Sequence, residues 1–346
     1  MRENLLTYLS QLLTNGLPFL LLRKAGERTV RIGSQSSPKV HKRAHDKMAY
    51  AVFSKFQKSE DQLFIYGEVI KEFQWLTTGS TAMPPGASFP NTSKKGYELM
   101  VENAVKTIKN TSLEKVVLSR KQSVVRRFDD LKTVEKLLDT YPLANCYFLY
   151  HPKVGRWMGA TPETLLSYKN GVLKTMSLAG TKRGDNPEEI HWGIKEMEEQ
   201  KLVTDFIVAA LKSAGTQEVI AGEKEMVKAG NLFHLKTSIT AKTHFQNLEN
   251  CVRELHPTPA VCGLPRGKAY EYILKHENYD RSFYTGYLGW NDPVQQSADY
   301  FVNLRCMELH DDRIDLFAGG GITALSNPAD EFEEVQNKLM TMASVL

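Results

Sequence analysis

The chain has no long apolar run, no excess of charge of one sign and no cysteine pattern, and each absence closes a class of function. Its most apolar opening stretch, Leu5 to Leu22, is interrupted by Thr7, Ser10, Gln11, Thr14, Asn15, Gly16 and Pro18. A spanning helix needs about 20 mostly apolar residues, so this stretch reads as an amphipathic helix followed by a strand, with no membrane partner. The cysteines, Cys146, Cys251, Cys262 and Cys306, stand far apart, without a C-x-x-C pair or a histidine at finger spacing, which points to reduced thiols in a cytoplasm. Lys plus Arg number 44 against 40 Asp plus Glu, a net +4 spread over 346 residues, so no nucleic-acid partner is expected. The one concentrated basic stretch, Lys39 to Lys47, reads as a solvated loop. G-x-G-x-x-G with a following helix and a downstream acid is missing, which removes the dinucleotide fingerprint. No repeat or low-complexity segment occurs, and no apolar stripe is left over for a coiled coil, so a monomer is expected.

What is present changes character along the chain. Up to about Asn91 the pattern is short strands and loops, with Tyr50-Ala-Val-Phe and Gln62-Leu-Phe-Ile-Tyr as strands. A turn-rich passage from Gly79 to Ser93 leads into longer elements. Tyr97 to Lys109 and Asp129 to Leu138 have helical spacing, with the strand Lys115 to Arg120 between them. Cys146 to Tyr150, Arg156-Trp-Met, Glu163-Thr-Leu-Leu-Ser and Val172 to Leu178 read as one antiparallel block, the last two joined by the hairpin signal Lys169-Asn-Gly. Asn186-Pro-Glu-Glu offers an N-cap and a first-turn proline for a helix to about Ala214, and Ser326-Asn-Pro-Ala-Asp-Glu starts the C-terminal helix in the same way.

Two helices carry paired carboxylates, Lys195-Glu196-x-x-Glu199 and Glu331-x-x-Glu334-x-x-x-Lys338. Residues three and four apart share a helix face, so two such helices could meet in an oxygen-rich cage for Mg²⁺. They could equally be solvated faces with i,i+4 ion pairs of about 0.3–0.5 kcal/mol. Lys115 opens an apolar strand; buried, a lysine loses proton affinity and becomes a candidate base. Gly159-Ala-Thr-Pro-Glu163 delivers a carboxyl at a strand start, where burial would make it an acid. Phe317-Ala-Gly-Gly-Gly-Ile leaves a strand with backbone free to approach an anion, or makes a tight turn. Arg305, placed mid-strand among apolar neighbours, needs an acid of the chain or a substrate carboxylate as its partner.

Read in order, Lys115-Val-Val-Leu-Ser-Arg, Gly159-Ala-Thr-Pro-Glu, Leu178-Ala-Gly-Thr, Lys195-Glu-x-x-Glu, His256-Pro-Thr-Pro-Ala-Val-Cys-Gly-Leu-Pro, Arg281-Ser-Phe-Tyr-Thr-Gly, Leu304-Arg, Ala318-Gly-Gly-Gly-Ile and Glu331-Phe-Glu-Glu-Val-Gln-Asn-Lys resemble the chorismate-utilising enzymes. The match runs from about residue 95 to the C-terminus. The resemblance implies an α+β sandwich of large antiparallel sheets flanked by helices, with residues 1–90 as a shortened N-terminal part and 91–346 as the chorismate-binding catalytic domain. It implies Lys115 as the base that activates water and Glu163 as the acid that protonates the departing C4 hydroxyl of chorismate. It implies Glu199 and Glu334 as Mg²⁺ ligands, Glu196 and Glu331 as outer or water-mediated ones, and Tyr284, Arg305, Gly319, Gly180, Thr181 and Lys338 around the substrate.

Three positions choose among the branches. Lys115 is similar to the water-activating members, where anthranilate synthases carry glutamine. Ala179 stands where aminodeoxychorismate synthases place a lysine before Gly-Thr. Ala260 is similar to the members that stop at isochorismate, where salicylate-forming ones carry threonine. The expected activity is therefore that of an isochorismate synthase, an isomerase serving menaquinone or siderophore synthesis, with a salicylate synthase or a catalytically silent chorismate-binding subunit as alternatives. Gln200, where many members have histidine, and Gln295-Gln-Ser-Ala-Asp, in place of a glycine-rich turn, depart from the pattern.

Overall fold

A computed structural model describes residues 2–57, 62–77, 94–125, 128–184, 186–229 and 232–346. The elements run α1 (Arg2–Thr14), β1 (Phe19–Arg23), β2 (Thr29–Ser34), β3 (Tyr50–Ser54), β4 (Leu63–Tyr66), β5 (Val69–Gln74), α2 (Lys94–Asn110), β6 (Lys115–Val125) and α3 (Asp130–Thr140). They continue with β7 (Asn145–His151), β8 (Gly155–Thr161), β9 (Thr164–Lys169), β10 (Val172–Arg183), α4 (Ile194–Ser213), β11 (Gln217–Ala229), β12 (Leu232–Lys242), α5 (Leu248–Leu255) and β13 (Gly263–Leu264). The last are α6 (Arg266–His276), β14 (Tyr287–Asp292), β15 (Ser297–Val302), β16 (Cys306–Leu309), β17 (Arg313–Ile322) and α7 (Pro328–Ala343).

Side-chain alternation builds the layers. In β7, Cys146 and Phe148 enter one apolar cluster while Tyr147 and Leu149 enter another, and β1 divides Phe19 and Leu21 from Leu20 and Leu22 in the same way. Strands covered on both faces read as unbroken apolar runs, because every second side chain meets a different layer. Among the described residues the strands form two antiparallel sheets. One has nine strands in the order β13-β6-β17-β16-β8-β7-β1-β2-β5, the other eight in the order β11-β12-β10-β9-β15-β14-β3-β4. The cluster holding Trp157, Phe53, Phe283, Trp290 and Phe317 joins the two sheets. α1, α2, α3, α6 and α7 pack on the outside of the first sheet, and α4 and α5 on the outside of the second. Truncating Phe53 or Trp157 in that inter-sheet layer would cost about 3–5 kcal/mol.

Residues 19–74 supply strands to both sheets. The turn-rich passage Gly79 to Ser93, expected to separate two parts of the chain, lies outside the described residues.

Three expectations need correction. The antiparallel block splits: β7 and β8 lie in the nine-stranded sheet, β9 and β10 in the eight-stranded one. The break falls at Pro162, which has no N–H to extend a ladder. The helix expected from Asn186 is only a single 3₁₀ turn, Pro187–Glu189, after which α4 starts afresh at Ile194. The Asn186 side chain caps nothing, whereas Glu196 accepts from the Gly193 N–H at 2.8 Å. Arg305 is not mid-strand; it stands between β15 and β16 with φ 46°, in the left-handed region. The C-terminal helix begins as expected, with the Asn327 side chain accepting from the Ala329 and Asp330 N–H groups.

Candidate active site

The chain crosses between the sheets twice at neighbouring places, and two of the expected site residues sit on the crossings. From β8 to β9 it passes through Pro162 and Glu163; from β15 back to β16 it passes through Asn303, Leu304 and Arg305. The crossings are bonded to each other: Thr161 Oγ1 donates to Val302 O at 2.6 Å, Val302 N to Glu163 O at 3.1 Å and Ala160 N to Arg305 O at 3.0 Å. Asn303, fully buried, donates to Phe283 O at 3.0 Å and accepts from Tyr147 Oη at 2.7 Å. This anchor holds the following backbone in the turn that aims Arg305.

Glu163 is 5% exposed, and burial raises its carboxyl pKa from 4.5 to about 7, with the Lys115 charge and the Thr258 side chain pulling it down. Burial also lowers the pKa of the Arg305 guanidinium, against the charge of Glu334 and the phenols of Tyr141 and Tyr284; its Nη1 donates to Thr341 Oγ1 at 3.2 Å.

Lys115 opens β6 beside β17, where Val117 pairs with Gly321 and Leu118 with Gly320. A Cβ at Gly321 would lie 2.9 Å from Lys115 Cε and 3.7 Å from Glu199 Oε1, and one at Gly320 would lie 3.2 Å from Glu331 Oε2. Successive residues of a strand face opposite sides, so Gly321 leaves space for Lys115 and Glu199 on one face and Gly320 lets Glu331 of α7 approach the other. Lys115 Nζ meets Glu199 Oε1 at 2.5 Å.

The other carboxylates are also engaged. Lys338 Nζ donates to Glu334 Oε1 at 2.6 Å and to Gly319 O at 3.0 Å. Ser326 Oγ donates to Glu331 Oε1 at 2.6 Å, and Lys182 Nζ stands 3.9 Å from Glu196 Oε2. Among the described residues the one cluster with three ligand atoms within 4.8 Å of each other is Glu308, His310 and Asp315, elsewhere. The four glutamates thus face one space without forming a closed cage.

That space is a cavity of about 160 Å³, lined by Lys115, Glu163, Gly180, Ala260, Tyr284 and Arg305, by Gly319 and Lys338, and by Glu196, Glu199, Glu331 and Glu334. Every other position singled out from the sequence is on the lining; the Thr181 backbone pairs with His234, and its side chain lies outside the described residues. His234, which the motifs did not bring out, lines the cavity from β12. Burial, then the charges of Arg305 and Lys338, lower its pKa to about 4, so it is a neutral imidazole. Its one signal is register, a histidine opposite Leu178-Ala-Gly-Thr, and register is not written in either strand alone.

The motif around Tyr284 depends on a buried ion pair. Arg281 and Glu277 meet at 2.6 Å with side chains 2% exposed. Arg281 also donates to Val117 O at 2.7 Å, Val261 O at 3.0 Å and Thr285 Oγ1 at 3.2 Å, which ties three walls of the cavity together. Gln200 lies fully buried and donates to Ser177 Oγ at 2.9 Å and Thr237 Oγ1 at 3.1 Å, clamping α4 onto β10 and β12. Gln295-Gln-Ser-Ala-Asp closes the β14–β15 hairpin, with Asp292 accepting from the Val294 and Gln295 N–H groups.

Comparison with known proteins gives a consistent picture. The family model described as chorismate binding enzyme matches residues 36–346. Isochorismate synthase EntC of Escherichia coli (strain K12) is 29% identical over 260 residues, 72% of this chain and 66% of that protein. Isochorismate synthase MenF of the same strain is 30% identical over 265 residues, covering 73% of this chain and 60% of its own length. The matches thus span about two thirds or less of these relatives. Among solved structures, MenF, the menaquinone-specific isochorismate synthase from Escherichia coli, superposes with a TM-score of 0.82 at 20% identity, covering 95% of this chain and 88% of that one. Anthranilate synthase component I from Streptococcus pneumoniae TIGR4 gives 0.70 at 18%, with 94% and 90% covered. At such identities the superpositions speak for the fold alone.

Proposed function

The chain belongs to the chorismate-binding enzymes, and from that premise we propose that it is an isochorismate synthase, adding water to C2 of chorismate with loss of the C4 hydroxyl. One observation carries the reading: Lys115 and Glu163, each 5% exposed, face a single cavity, one from β6 and the other from the β8–β9 crossing. A reaction that takes one proton from water and gives one to a departing hydroxyl needs a base and an acid on a common space, and this pair supplies both.

Lys115 leaves the Glu199 oxygen, gives its ammonium proton to solvent and, as the neutral amine, accepts a proton from the attacking water. Glu163, held protonated by burial up to about pH 7, gives its proton to the C4 oxygen as that C–O bond breaks and the ring double bonds shift. Solvent, which took one proton from Lys115, returns one to Glu163, so the net change is an isomerisation. Arg305, Tyr284, Lys338 and the Gly319 backbone hold the substrate carboxylates, with Gly180, the Thr181 backbone and Ala260 beside them.

The donor set fits Mg²⁺. Five carboxyl groups line the cavity against three cations, Lys115, Arg305 and Lys338, so a dicarboxylate entering it needs added positive charge. Oxygen-only donors suit a hard ion that keeps waters, and the missing Cβ atom of Gly321 leaves room beside Glu199. Glu199 and Glu334 would hold the ion directly, Glu196 and Glu331 through water. When bound it supplies positive charge to a substrate carboxylate and fixes its orientation.

No described helix is long and apolar enough to cross a membrane, and the four cysteines are free thiols; we place the reaction in the cytoplasm, feeding menaquinone or siderophore synthesis. The test is to incubate purified protein with chorismate and Mg²⁺ and separate the products. Isochorismate should form and EDTA should stop it. Persistent chorismate, or consumption only with ammonia, overturns the proposal, and release of pyruvate with salicylate moves the chain to the salicylate-forming branch.

A further inference from the structure

The outer face of the eight-stranded sheet carries a second and larger cavity, about 1020 Å³, which the reaction above does not use. Helices cover only part of that face. Beside α5 the cavity is floored by largely buried rings: Tyr50 meets Phe64 edge-on at 5.7 Å, and Tyr287 meets Tyr300 at 5.8 Å. The rim is basic. Lys42 and Arg43, from the stretch read as a solvated loop, Lys55 and Arg253 of α5 are on the lining; among the described residues Asp46 and Glu249 are its carboxylates.

We propose that this cavity binds a small aromatic carboxylate, its ring laid on the tyrosine floor and its carboxylate held by Arg253 and the Tyr50 hydroxyl. The polar groups suit an anion in three respects. Arg43 and Arg253 form no ion pair among the described residues, although both are exposed at the rim. Tyr50 is 8% exposed, yet its hydroxyl makes no hydrogen bond among the described residues. Burial and the nearby Glu249 charge keep that phenol protonated up to about pH 12, so its proton is available to an acceptor. A guanidinium fork with a phenol donor is a carboxylate-binding pair. Rings set edge to face leave ring faces and edges against which a planar aromatic ligand can pack. Asp46 and Glu249 on the same lining disfavour a ligand of higher negative charge. The floor also adjoins the catalytic cavity: His256 lines it, and His256 Nε2 lies 2.9 Å from the backbone oxygen of Thr285, which faces the other side.

The probe is 4-fluorobenzoate, followed by ¹⁹F NMR on the full chain. Saturable broadening is expected with the wild type and equally with Arg305→Ala, which disables the catalytic cavity and not this one. Arg253→Ala should weaken binding by about tenfold or more, the loss of a charge-assisted hydrogen bond, and Tyr50→Phe by less, with chorismate turnover and circular dichroism unchanged in both. No saturable broadening, or equal binding by Arg253→Ala, overturns the proposal. Binding lost in Arg305→Ala overturns it as well, by putting the probe in the catalytic cavity. None of these outcomes depends on what the catalytic cavity converts.

Discussion

Glu163→Gln tests the proposed acid through stability and turnover at once. In the folded chain burial raises this carboxyl to about 7 from the 4.5 of a solvated glutamate. A folded-state pKa above the unfolded one means that the group's contribution to stability is fully present below about 4.5 and is lost as pH rises through about 7. At about 1.4 kcal/mol for each tenfold change in proton affinity, that interval amounts to about 3 kcal/mol. Glutamine keeps the shape and does not titrate. Relative to wild type, the variant should therefore gain about 3 kcal/mol between about pH 4.5 and about pH 8, read from urea unfolding at both ends. The same substitution removes the proton donor, and turnover should fall by about 10²–10⁴. The wild type should lose kcat/KM on the alkaline side with an apparent pKa near 7, as the acid ionises. A stability difference independent of pH would refute the buried titration, and a variant with wild-type turnover would refute the acid.

Lys115→Ala should lower turnover by about 10²–10⁴ while chorismate still binds, which isothermal titration separates from kinetics. In Gly321→Ala the new Cβ would stand 2.9 Å from Lys115 Cε, the end of a side chain that can swing away. Its melting temperature should therefore change little while turnover drops by about tenfold or more; unchanged kinetics would show that the glycine is not there for the lysine. Arg305→Lys keeps the charge and loses the fork, so KM for chorismate should rise by about 10- to 100-fold, the worth of a charged hydrogen bond. A KM within twofold of wild type would remove Arg305 from the substrate.

Elements whose cause is local were legible in the sequence. The Asn327 cap with Pro328, the period-3.6 pattern of α2 and the apolar run of β1 each stand where the pattern puts them. Features decided by contacts between distant residues were not. Nothing local to Cys146–Leu178 says that its strands divide between two sheets; the pairing of β8 with β16 and of β9 with β15 decides it. Arg305 has apolar neighbours as a mid-strand residue would, but the side chain of Asn303, held by Tyr147 and Phe283, turns the chain there. Gln200 departs from a familiar pattern, and only its partners on β10 and β12 explain what it does.

The paired glutamates had two readings from spacing, an ion pair along a helix face or a ligand for a cation, and the geometry gives no reason to choose only one. Glu334 pairs with Lys338 one turn away and lines the cavity as well. Such i,i+4 pairs are worth only about 0.3–0.5 kcal/mol on a solvated helix, and the Glu334 side chain is 38% exposed. A lysine so weakly bound can be displaced by a stronger cation and turned toward an incoming carboxylate. Lys115 and Glu199 are more deeply placed, with side chains 7% and 24% exposed, so their separation costs more and requires that the glutamate gain another cation as the lysine leaves. The ion pairs present without ligand are then the resting contacts of the same residues that hold metal and substrate. For a cavity with five carboxyl groups and three cations, holding those lysines in place keeps the empty site near neutrality.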